Sequence, residues 1–319
     1  GEIVKGAVLA ANENKNINIK LVGRKEDIEK ELTKYDYDSN LLEIINATEV
    51  IETGEPPVAA IRSKKDSSLV KCMYMVKNGE ADAMVSAGST GANLVGGHVI
   101  IGRLKGVERP PLAPLIPTKK GVSLLIDCGA NVDARPSHLV QFAKMGSVYM
   151  ENIVGIKNPK VAIVNIGAEE EKGNALVKET YPLLKEIKDI NFVGNIEARD
   201  IPEGKADVIV CDAFVGNCIL KLYEGVASVL LSKIKGTLMA SLKTKIGALL
   251  IKKDLKKTLK SFSIEEYGGA PLLGLKGLLV KTHGSSKAIE IKNSILQCGT
   301  FKEMDLNNKF KEKLNLENK

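Results

Sequence analysis

The chain has 319 residues, with 46 Lys and Arg against 39 Asp and Glu, so its formal net charge is +7. Hydrophobic residues make up 44% of it, enough for a buried core, but only 4% are aromatic. Base stacking needs aromatic platforms, so this composition argues against single-stranded nucleic acid as a partner. No uninterrupted apolar run approaches the roughly 18 residues of a membrane span, and we expect no transmembrane segment.

Strand and helix signals alternate along the chain. Strands are predicted at 17–22, 41–47, 83–86, 123–126, 161–166, 192–193, 208–211 and 278–282. Helices are predicted at the N-terminus and at 24–33, 56–77, 90–101, 136–151, 175–187, 217–234 and 286–298. This order is typical of βαβ units. It predicts an α/β fold of three layers, in which a mainly parallel sheet is covered by helices on both faces.

Residues 109–117 interrupt the alternation with four of the eleven prolines. Proline excludes helix interior, so we expect an extended connection between two lobes of one catalytic unit that spans 1–319. The two lobes share the same pattern and could share one sheet. From residue 302 onward the chain is polar, and we expect a tail that is frayed or forms a loose helix.

Five cysteines occur, an odd number without C-x-x-C spacing. We predict buried, reduced thiols and a cytoplasmic protein. The first residues run straight into a helix, and we expect no signal peptide there.

Residues 233–260 carry nine lysines and one acid, a net charge of +8, so the remaining chain is nearly neutral. Apolar residues recur there every three or four positions, which predicts one or two amphipathic helices with a basic face. Such a segment could simply face the core and solvate its lysines. Alternatively it contacts an anionic lipid surface, as a peripheral membrane protein does, or an acidic protein. For that contact we single out Leu249, Leu250, Lys252, Lys253, Lys256 and Lys257.

Polar, glycine-bearing loops follow six of the predicted strands. In a parallel α/β sheet such loops meet at the edge where ligands bind. The most informative loop is Ser86–Asn93, in which Gly88 and Gly91 allow a tight backbone and Ser89 and Thr90 begin a helix. Free N–H groups at a helix start favour a phosphate or a carboxylate. The pattern is neither a Walker A loop nor a dinucleotide fingerprint.

Three histidines occur, and none belongs to a zinc-binding motif, so we predict no metal site. His283 ends a strand beside Gly284 and Ser285. It could transfer a proton, contact an anion or support a neighbouring group. No serine-nucleophile elbow is present.

Six motifs in this order resemble the bacterial acyl-[acyl-carrier-protein]:phosphate acyltransferases. The motifs are Ser86-Ala-Gly-Ser-Thr-Gly-Ala, Asp127-x-Gly-Ala-Asn-Val-Asp133, Asn195-x-Glu-Ala-Arg-Asp200, Asp212-x-Phe-x-Gly-Asn217, Tyr267-Gly-Gly-Ala270 and His283-Gly-Ser-Ser286. The resemblance implies a fold like isocitrate and isopropylmalate dehydrogenases and phosphate acetyltransferase. It also implies a homodimer that visits the membrane, with acyl carrier protein and inorganic phosphate as partners in phospholipid synthesis.

Two departures from that family stand out. Its members begin with a strand and an Asp-Ala-Met-Gly-Gly-Asp loop ahead of the helix that starts here at Glu2, and we expect the site to be incomplete without that loop. Lys287 stands where the family more usually has Asp or Asn.

Phosphate is already a nucleophile near neutral pH, so the resemblance requires no cofactor and no strong base. The protein has to hold phosphate against the thioester carbonyl and stabilise an oxyanion. For phosphate binding we predict Ser86, Gly88, Ser89, Thr90, Gly91 and Ser285. For catalysis we predict Asn131, Asn217 and His283 as donors, Asp133 as an orienting group and Lys221 as a charge partner.

Two other functions fit the same residues. A phosphate acetyltransferase or butyryltransferase would apply the same chemistry to acyl-coenzyme A. A non-enzymatic module that binds membrane surfaces would explain the basic segment but not the loops.

Overall fold

The computed structural model describes residues 1–261 and 264–315 and has a mixed α/β architecture. The strands are β1 (Ile19–Gly23), β2 (Leu42–Asn46), β3 (Ala83–Ser86), β4 (Leu115–Thr118), β5 (Gly121–Ile126), β6 (Lys160–Asn165), β7 (Asn191–Glu197), β8 (Val208–Val210), β9 (Ala270–Pro271) and β10 (Leu278–Lys281). The helices are α1 (Glu2–Glu13), α2 (Lys25–Leu32), α3 (Pro57–Ser63), α4 (Ser68–Lys77), α5 (Thr90–Gly96), α6 (Pro136–Tyr149), α7 (Ala175–Glu186), α8 (Ala213–Met239), α9 (Leu242–Ser261), α10 (Ala288–Glu303) and α11 (Leu306–Lys313). Most predicted elements are confirmed, and β3 has the predicted bounds.

The strands form three sheets instead of the single sheet that the sequence predicts. Their orders are β1-β2, β3-β10-β9 and β4-β5-β8-β6-β7. Most neighbours are parallel, but β4 pairs with β5 and β9 pairs with β10 in antiparallel fashion. Two residues separate β4 from β5, which allows a hairpin and excludes the long crossover that parallel strands need.

Both faces of the three-stranded sheet are buried. Met84 and Leu279 face one apolar cluster, which is built from α4, α5 and the turn after α5. Val85 and Val280 face a second cluster, which includes Phe301 of α10. The alternation of facing residues along β3 and β10 fixes the direction of every side chain on these strands.

The proline-rich segment joins the three-stranded and five-stranded sheets. Leu112 forms an antiparallel bridge with Leu272, which follows β9. The carbonyl oxygen of Leu112 also accepts a hydrogen bond from the N–H of Cys128, which follows β5, at 2.9 Å. On the β9 side, the N–H of Ala113 donates to the carbonyl oxygen of Pro271, and the carbonyl oxygen of Pro111 accepts from the N–H of Leu273, both at 3.0 Å. The segment is therefore extended, as predicted, and consecutive residues of it bond to the two sheets. Its last residues belong to β4, which the sequence did not predict.

We expected a C-terminal tail that is frayed or forms a loose helix, and residues 306–313 form a helix that is packed. Helix α11 buries Leu306 and Phe310 in the same cluster as Phe301. These two residues are four positions apart and so share one face of the helix. A polar segment with two well-spaced apolar residues is enough to dock on the core.

All five cysteines are free thiols. Cys128, Cys211 and Cys298 are buried, and Cys72 is half-buried. Burial raises the pKa of Cys72 to about 11 and that of Cys298 to about 12. These two therefore remain protonated at neutral pH. The prediction of a buried thiol is wrong for Cys218, which is exposed on α8.

Helices α8 and α9 bury little of their surface. By length and composition alone, the 27 residues of α8 could cross a membrane, and 6% of its most apolar 18-residue stretch is buried. The premise that no stretch is long and apolar enough is therefore wrong, whereas the absence of a transmembrane segment stays a prediction. The premise rested on uninterrupted apolar runs, whereas Lys221 and Glu224 interrupt α8 and form an ion pair at 2.8 Å. On α9, Leu249 and Leu250 are 71% and 79% exposed, so these apolar residues do not face a core.

The first turns of α8 lie against the loop after β5. A Cβ atom added to Gly216 would be 1.9 Å from the carbonyl oxygen of Asp127. Only glycine allows this close approach of a helix to a backbone oxygen. Gly225, two and a half turns further on, has no atom within 4 Å of the same position.

We predict opposite effects of alanine at these two glycines. Gly216→Ala forces the helix away from the loop and should lower the free energy of unfolding by at least about 1–3 kcal/mol. Gly225 is at an exposed helix position, where alanine lowers the backbone entropy of the unfolded chain. Gly225→Ala should therefore raise the free energy of unfolding by about 0.5–1 kcal/mol. Urea denaturation of both variants and the wild type measures the difference. Equal effects at the two positions would contradict the close packing of α8.

Candidate active site

Two of the predicted glycine loops lie side by side at the ends of β3 and β10. The N–H of Thr282 donates to the carbonyl oxygen of Ser86 at 2.9 Å, which continues the parallel pairing of the strands. A Cβ atom on Gly284 would lie 3.8 Å from the carbonyl oxygen of Ala87. The loops that begin at Ser86 and His283 therefore form one surface.

A buried asparagine organises the first loop. Asn93 is 1% exposed, and its Nδ2 donates to Ser86 Oγ at 3.1 Å and to the carbonyl oxygen of Ser89 at 2.9 Å. Ser86 Oγ accepts a further bond from the N–H of Gly88 at 3.2 Å. These bonds hold the loop in a tight turn that leads into the first turn of α5.

Ser89 caps the helix that follows. Its Oγ accepts a hydrogen bond from the N–H of Ala92 at 3.4 Å, and its side chain is buried. The hydroxyl hydrogen of Ser89 stays available for an acceptor. The first N–H groups of a helix have no intrahelical partner, and Thr90 is exposed at this end,. Ser89, Thr90 and Gly91 together present donors to an anion.

The geometry around His283 assigns its tautomer. The N–H of Ser285 donates to Nδ1 of His283 at 3.1 Å, so this nitrogen carries a lone pair. Ser285 Oγ lies 2.6 Å from the same nitrogen. The neutral imidazole therefore has its hydrogen on Nε2, on an exposed side chain that can donate to a ligand,. Ser285 orients this ring, which is a second possible role beside the predicted contact with phosphate.

Lys287 cannot cap α10 as Asp or Asn would. No side-chain cap bond forms at Lys287, and the N–H of Ala288 donates instead to Glu2 Oε2 at 2.7 Å. A carboxylate from α1 thus replaces the missing cap and holds the helix after the His283 loop.

The loop after β5 is built around a buried carboxylate. Asp127 is fully buried and accepts bonds from the N–H of Leu112 at 3.0 Å and from the N–H of Asn131 at 2.8 Å. The N–H groups of Gly129 and Ala130 also donate to it. Burial raises the pKa of Asp127, and these hydrogen bonds oppose the rise. Sequence reasoning gave this residue no role, although an acid directly after an apolar strand was a visible signal.

Asn131 is held within the chain. Its Nδ2 donates to Asp127 Oδ2 at 2.7 Å and to the carbonyl oxygen of Pro110 at 3.0 Å. An amide group has two hydrogens, so both have partners and neither is left for a ligand. The carbonyl oxygen of Asn131 accepts from the N–H of Ala213 at 3.0 Å. In this arrangement Asn131 links its loop to the start of α8.

The remaining predicted catalytic residues lie around that helix start. Asp212 caps α8 by accepting from the N–H of Val215 at 2.9 Å. Asn217 and Asp133 are exposed. Their side chains form no hydrogen bond or ion pair in the part of the chain that the structure describes. Lys221 is held by Glu224. Ala130 packs on the cluster that contains Leu279, which brings this loop against the three-stranded sheet.

Sequence reasoning also missed Lys281, the last residue of β10. Its Nζ donates to the carbonyl oxygen of Thr282. Burial lowers the pKa of Lys281, the charge of Glu290 raises it, and the charge of Lys221 lowers it. The signal in the sequence was a lysine between an apolar strand and the His283 motif.

The six predicted loops divide into two sets, because the sheet is divided. Those at Ser86, Asp127, Asp212 and His283 surround the junction of two sheets. Asn195, predicted to lie in a loop, belongs to β7, and its Nδ2 donates to the carbonyl oxygen of Glu169 in the loop after β6 at 2.9 Å. Asn195 and this loop lie at the outer edge of the five-stranded sheet.

The predicted partner-binding residues are all on α9. Leu249, Leu250, Lys252, Lys253, Lys256 and Lys257 are exposed there. Among the described residues, no cluster of three or more His, Cys, Asp or Glu side chains is placed to hold a metal ion.

Two solved structures of phosphotransacetylases have a similar fold. A phosphotransacetylase from Streptococcus pyogenes superimposes with a TM-score of 0.59 at 19% identity, covering 93% of this chain and 91% of the other. The EutD phosphotransacetylase from Staphylococcus aureus gives a TM-score of 0.51 at 15% identity, covering 94% and 99%. At these identities the likeness concerns the fold, and the predicted likeness to phosphate acetyltransferase is confirmed.

Sequence relatives are much closer. The phosphate acyltransferase of Clostridium novyi (strain NT) is 52% identical over 309 residues, covering 97% of this chain and 93% of the relative. A putative phosphate acyltransferase of Clostridium perfringens (strain 13 / Type A) is 51% identical over 312 residues, covering 98% and 92%. A family model described as fatty acid synthesis protein matches residues 1–309. The resemblance carried by the six motifs is thus confirmed, and the chain belongs to the fatty acid synthesis protein family.

Proposed function

We propose that this chain is a phosphate acyltransferase that moves an acyl group from acyl carrier protein to inorganic phosphate. The products are acyl phosphate for phospholipid synthesis and the free thiol of the carrier protein. The observation that carries this proposal is the junction of the sheets, where the Ser86 and His283 loops share one surface. The names of the sequence relatives support the reaction type.

The reaction requires that the two substrates be positioned more than that the phosphate nucleophile be activated. A phosphate oxygen attacks the thioester carbonyl carbon and forms a C–O bond, and the carbonyl oxygen becomes an oxyanion. When the intermediate collapses, the C–S bond breaks and the electron pair leaves with the thiolate. Holding phosphate at the carbonyl and stabilising the oxyanion supply the rate enhancement. Neither step calls for a cofactor.

The residues divide these tasks. Ser89 and the N–H groups of Thr90 and Gly91 bind phosphate, and Ser86 and Gly88 shape the turn. His283 donates from Nε2, and Ser285 orients it. Asn217, Lys221 and Asp133 line the opposite side of the junction. Asn131 positions α8.

Helix α9 is proposed to contact an acidic carrier protein or an anionic membrane surface. Its lysines are exposed, and Leu249 and Leu250 lie beside them, also exposed. Lysine adds attraction to an anionic surface and leucine adds buried apolar area. This makes the protein a cytoplasmic enzyme that associates peripherally with the membrane.

A homodimer is proposed from the exposed apolar side chains of α8. Leu222, Val226 and Val229 are 69%, 58% and 62% exposed. Apolar surface of this extent usually marks an interaction site. The broader likeness to isocitrate and isopropylmalate dehydrogenases remains a prediction.

The acyl donor distinguishes the proposed function from its alternatives. We expect phosphate-dependent formation of acyl phosphate, with release of one thiol per turnover, from an acyl carrier protein thioester. Thiol titration and hydroxylamine trapping measure the two products. A preference for acyl-coenzyme A would indicate a phosphate acetyltransferase or butyryltransferase instead. If neither donor supports turnover, the remaining alternative is a non-enzymatic module that binds membrane surfaces.

Alanine at Ser89 and Thr90 tests the phosphate site. Hydrogen bonds to a charged group are worth about 1.5–3 kcal/mol each. The double variant Ser89→Ala, Thr90→Ala should therefore raise the phosphate KM at least about tenfold or abolish turnover. Steady-state kinetics with varied phosphate measure the effect, and unchanged kinetics would remove these residues from the site.

Ser67→Ala is the matched control. Ser67 caps α4 through the N–H of Val70 at 3.4 Å, the same length as the Ser89 cap, and it is likewise buried. Its loss should cost about 1 kcal/mol of stability, as should that of Ser89, but leave the phosphate KM unchanged. A comparable rise in KM would show that lost helix capping, and not lost phosphate binding, explains the first result.

Charge reversal on α9 tests the partner surface. Lys252→Glu with Lys253→Glu should weaken binding to anionic vesicles or to the carrier protein at least about tenfold, since each lysine contributes about 1 kcal/mol at an anionic surface. Vesicle sedimentation and carrier-protein titration measure the two partners separately. Lys157→Glu with Lys188→Glu, on exposed lysines outside α9, is the control for net charge. If both partners bind the α9 variant as well as the wild type, this role of α9 is wrong.

A further inference from the structure

Lys281 lies at the end of β10, where the two glycine loops meet. It is paired with Ser86 of β3 on one side and with Ala270 of β9 on the other. Paired residues of neighbouring strands project to the same face of a sheet. The side chain of Lys281 therefore leaves the sheet on the face from which Ser86 reaches the loop at Ser89.

This face is the one that meets the loop after β5. Met84 and Leu279 lie two residues before Ser86 and Lys281, and both face the cluster on which Ala130 packs. Ala270 packs on the same cluster. Lys281 is thus the next residue along that face, at its open end between the two sheets.

The ammonium group of Lys281 forms no ion pair within the described residues. Its Nζ donates to the carbonyl oxygen of Thr282, and no Asp or Glu of the described residues lies within 4 Å of it. Burial lowers the pKa of Lys281, the more distant charge of Glu290 raises it, and the charge of Lys221 lowers it. A half-buried ammonium group without an ion-pair partner would be stabilised by an anion,.

One hydroxyl group in the loop after Lys281 also lacks a partner. Ser286 Oγ is buried and forms no hydrogen bond within the described ranges. Buried polar groups in folded proteins are usually paired, so such a group needs an explanation. Its position in the His283 loop marks this loop as polar and incompletely satisfied.

We propose that Lys281 is a catalytic residue that contacts the phosphate through its ammonium group, opposite the donors of Ser89 and Thr90. This rests on the proposed function and adds a residue to its site. The lysine supplies a point charge to a phosphate oxygen, and the loop supplies hydrogen bonds to the others.

The test compares Lys281→Met, which keeps the length of the side chain and removes its charge, with Lys281→Arg, which keeps the charge. Lys281→Met should raise the phosphate KM at least about tenfold, by the loss of one charge-assisted bond, and leave the KM for the acyl donor within about twofold. Lys281→Arg should give an intermediate phosphate KM. Lys276→Met, on an exposed lysine before β10, should match the wild type.

Binding of inorganic phosphate, measured by calorimetry, provides a readout that does not depend on turnover. Lys281→Met should lose at least about tenfold in affinity. If the Met variant does not fold, Lys281→Gln is measured in its place. Wild-type affinity in the charge-free variant, or a phosphate KM within about twofold of the wild type, would overturn the assignment. If the wild type itself makes no acyl phosphate from either donor, the proposed function fails, whereas an active wild type with an unaffected variant refutes Lys281 alone.

Discussion

The buried carboxylate of Asp127 is the interaction on which the geometry of the site depends. It accepts N–H bonds from Leu112, which bridges to the three-stranded sheet, and from the loop that leads to α6 and contacts the start of α8. A buried carboxylate with fewer donors would be costly, since each hydrogen bond to a charged group offsets about 1.5–3 kcal/mol of desolvation. The four loops at the junction therefore keep their spacing only while this carboxylate keeps its donors.

The same constraint explains why the junction is open to a ligand. Asp127 and Asn131 use their polar atoms on one another and on the backbone, so this side of the junction is rigid and internally satisfied. In the His283 loop, by contrast, Ser286 Oγ forms no hydrogen bond within the described residues. The satisfied network around Asp127 is preorganised, so this side of the site needs no rearrangement when a ligand binds.

Local sequence patterns predicted most strands, most helices and the presence of glycine loops, because periodicity and turn residues are read within a few positions. The division into three sheets was not predictable, since the 111–113 segment bonds to Pro271 and Leu273 on one side and to Cys128 on the other, all distant in sequence. The pairing of Asn131 and the position of Lys281 were not predicted for a related reason. Tertiary contacts decide which polar atoms already have partners. They also decide which face of a sheet a lysine side chain occupies.

The distribution of charge separates two kinds of electrostatics in this chain. On α9, Lys252 and Lys253 are exposed, so their effect on a partner acts at long range and is screened by salt within about 8–10 Å,. Lys281 is half-buried, where screening is weak and one charge has a larger effect,. The net charge of +7 therefore says little about catalysis. The exposed lysines of α9 favour approach to an anionic partner, whereas the proposed role of Lys281 is to act on the reacting phosphate.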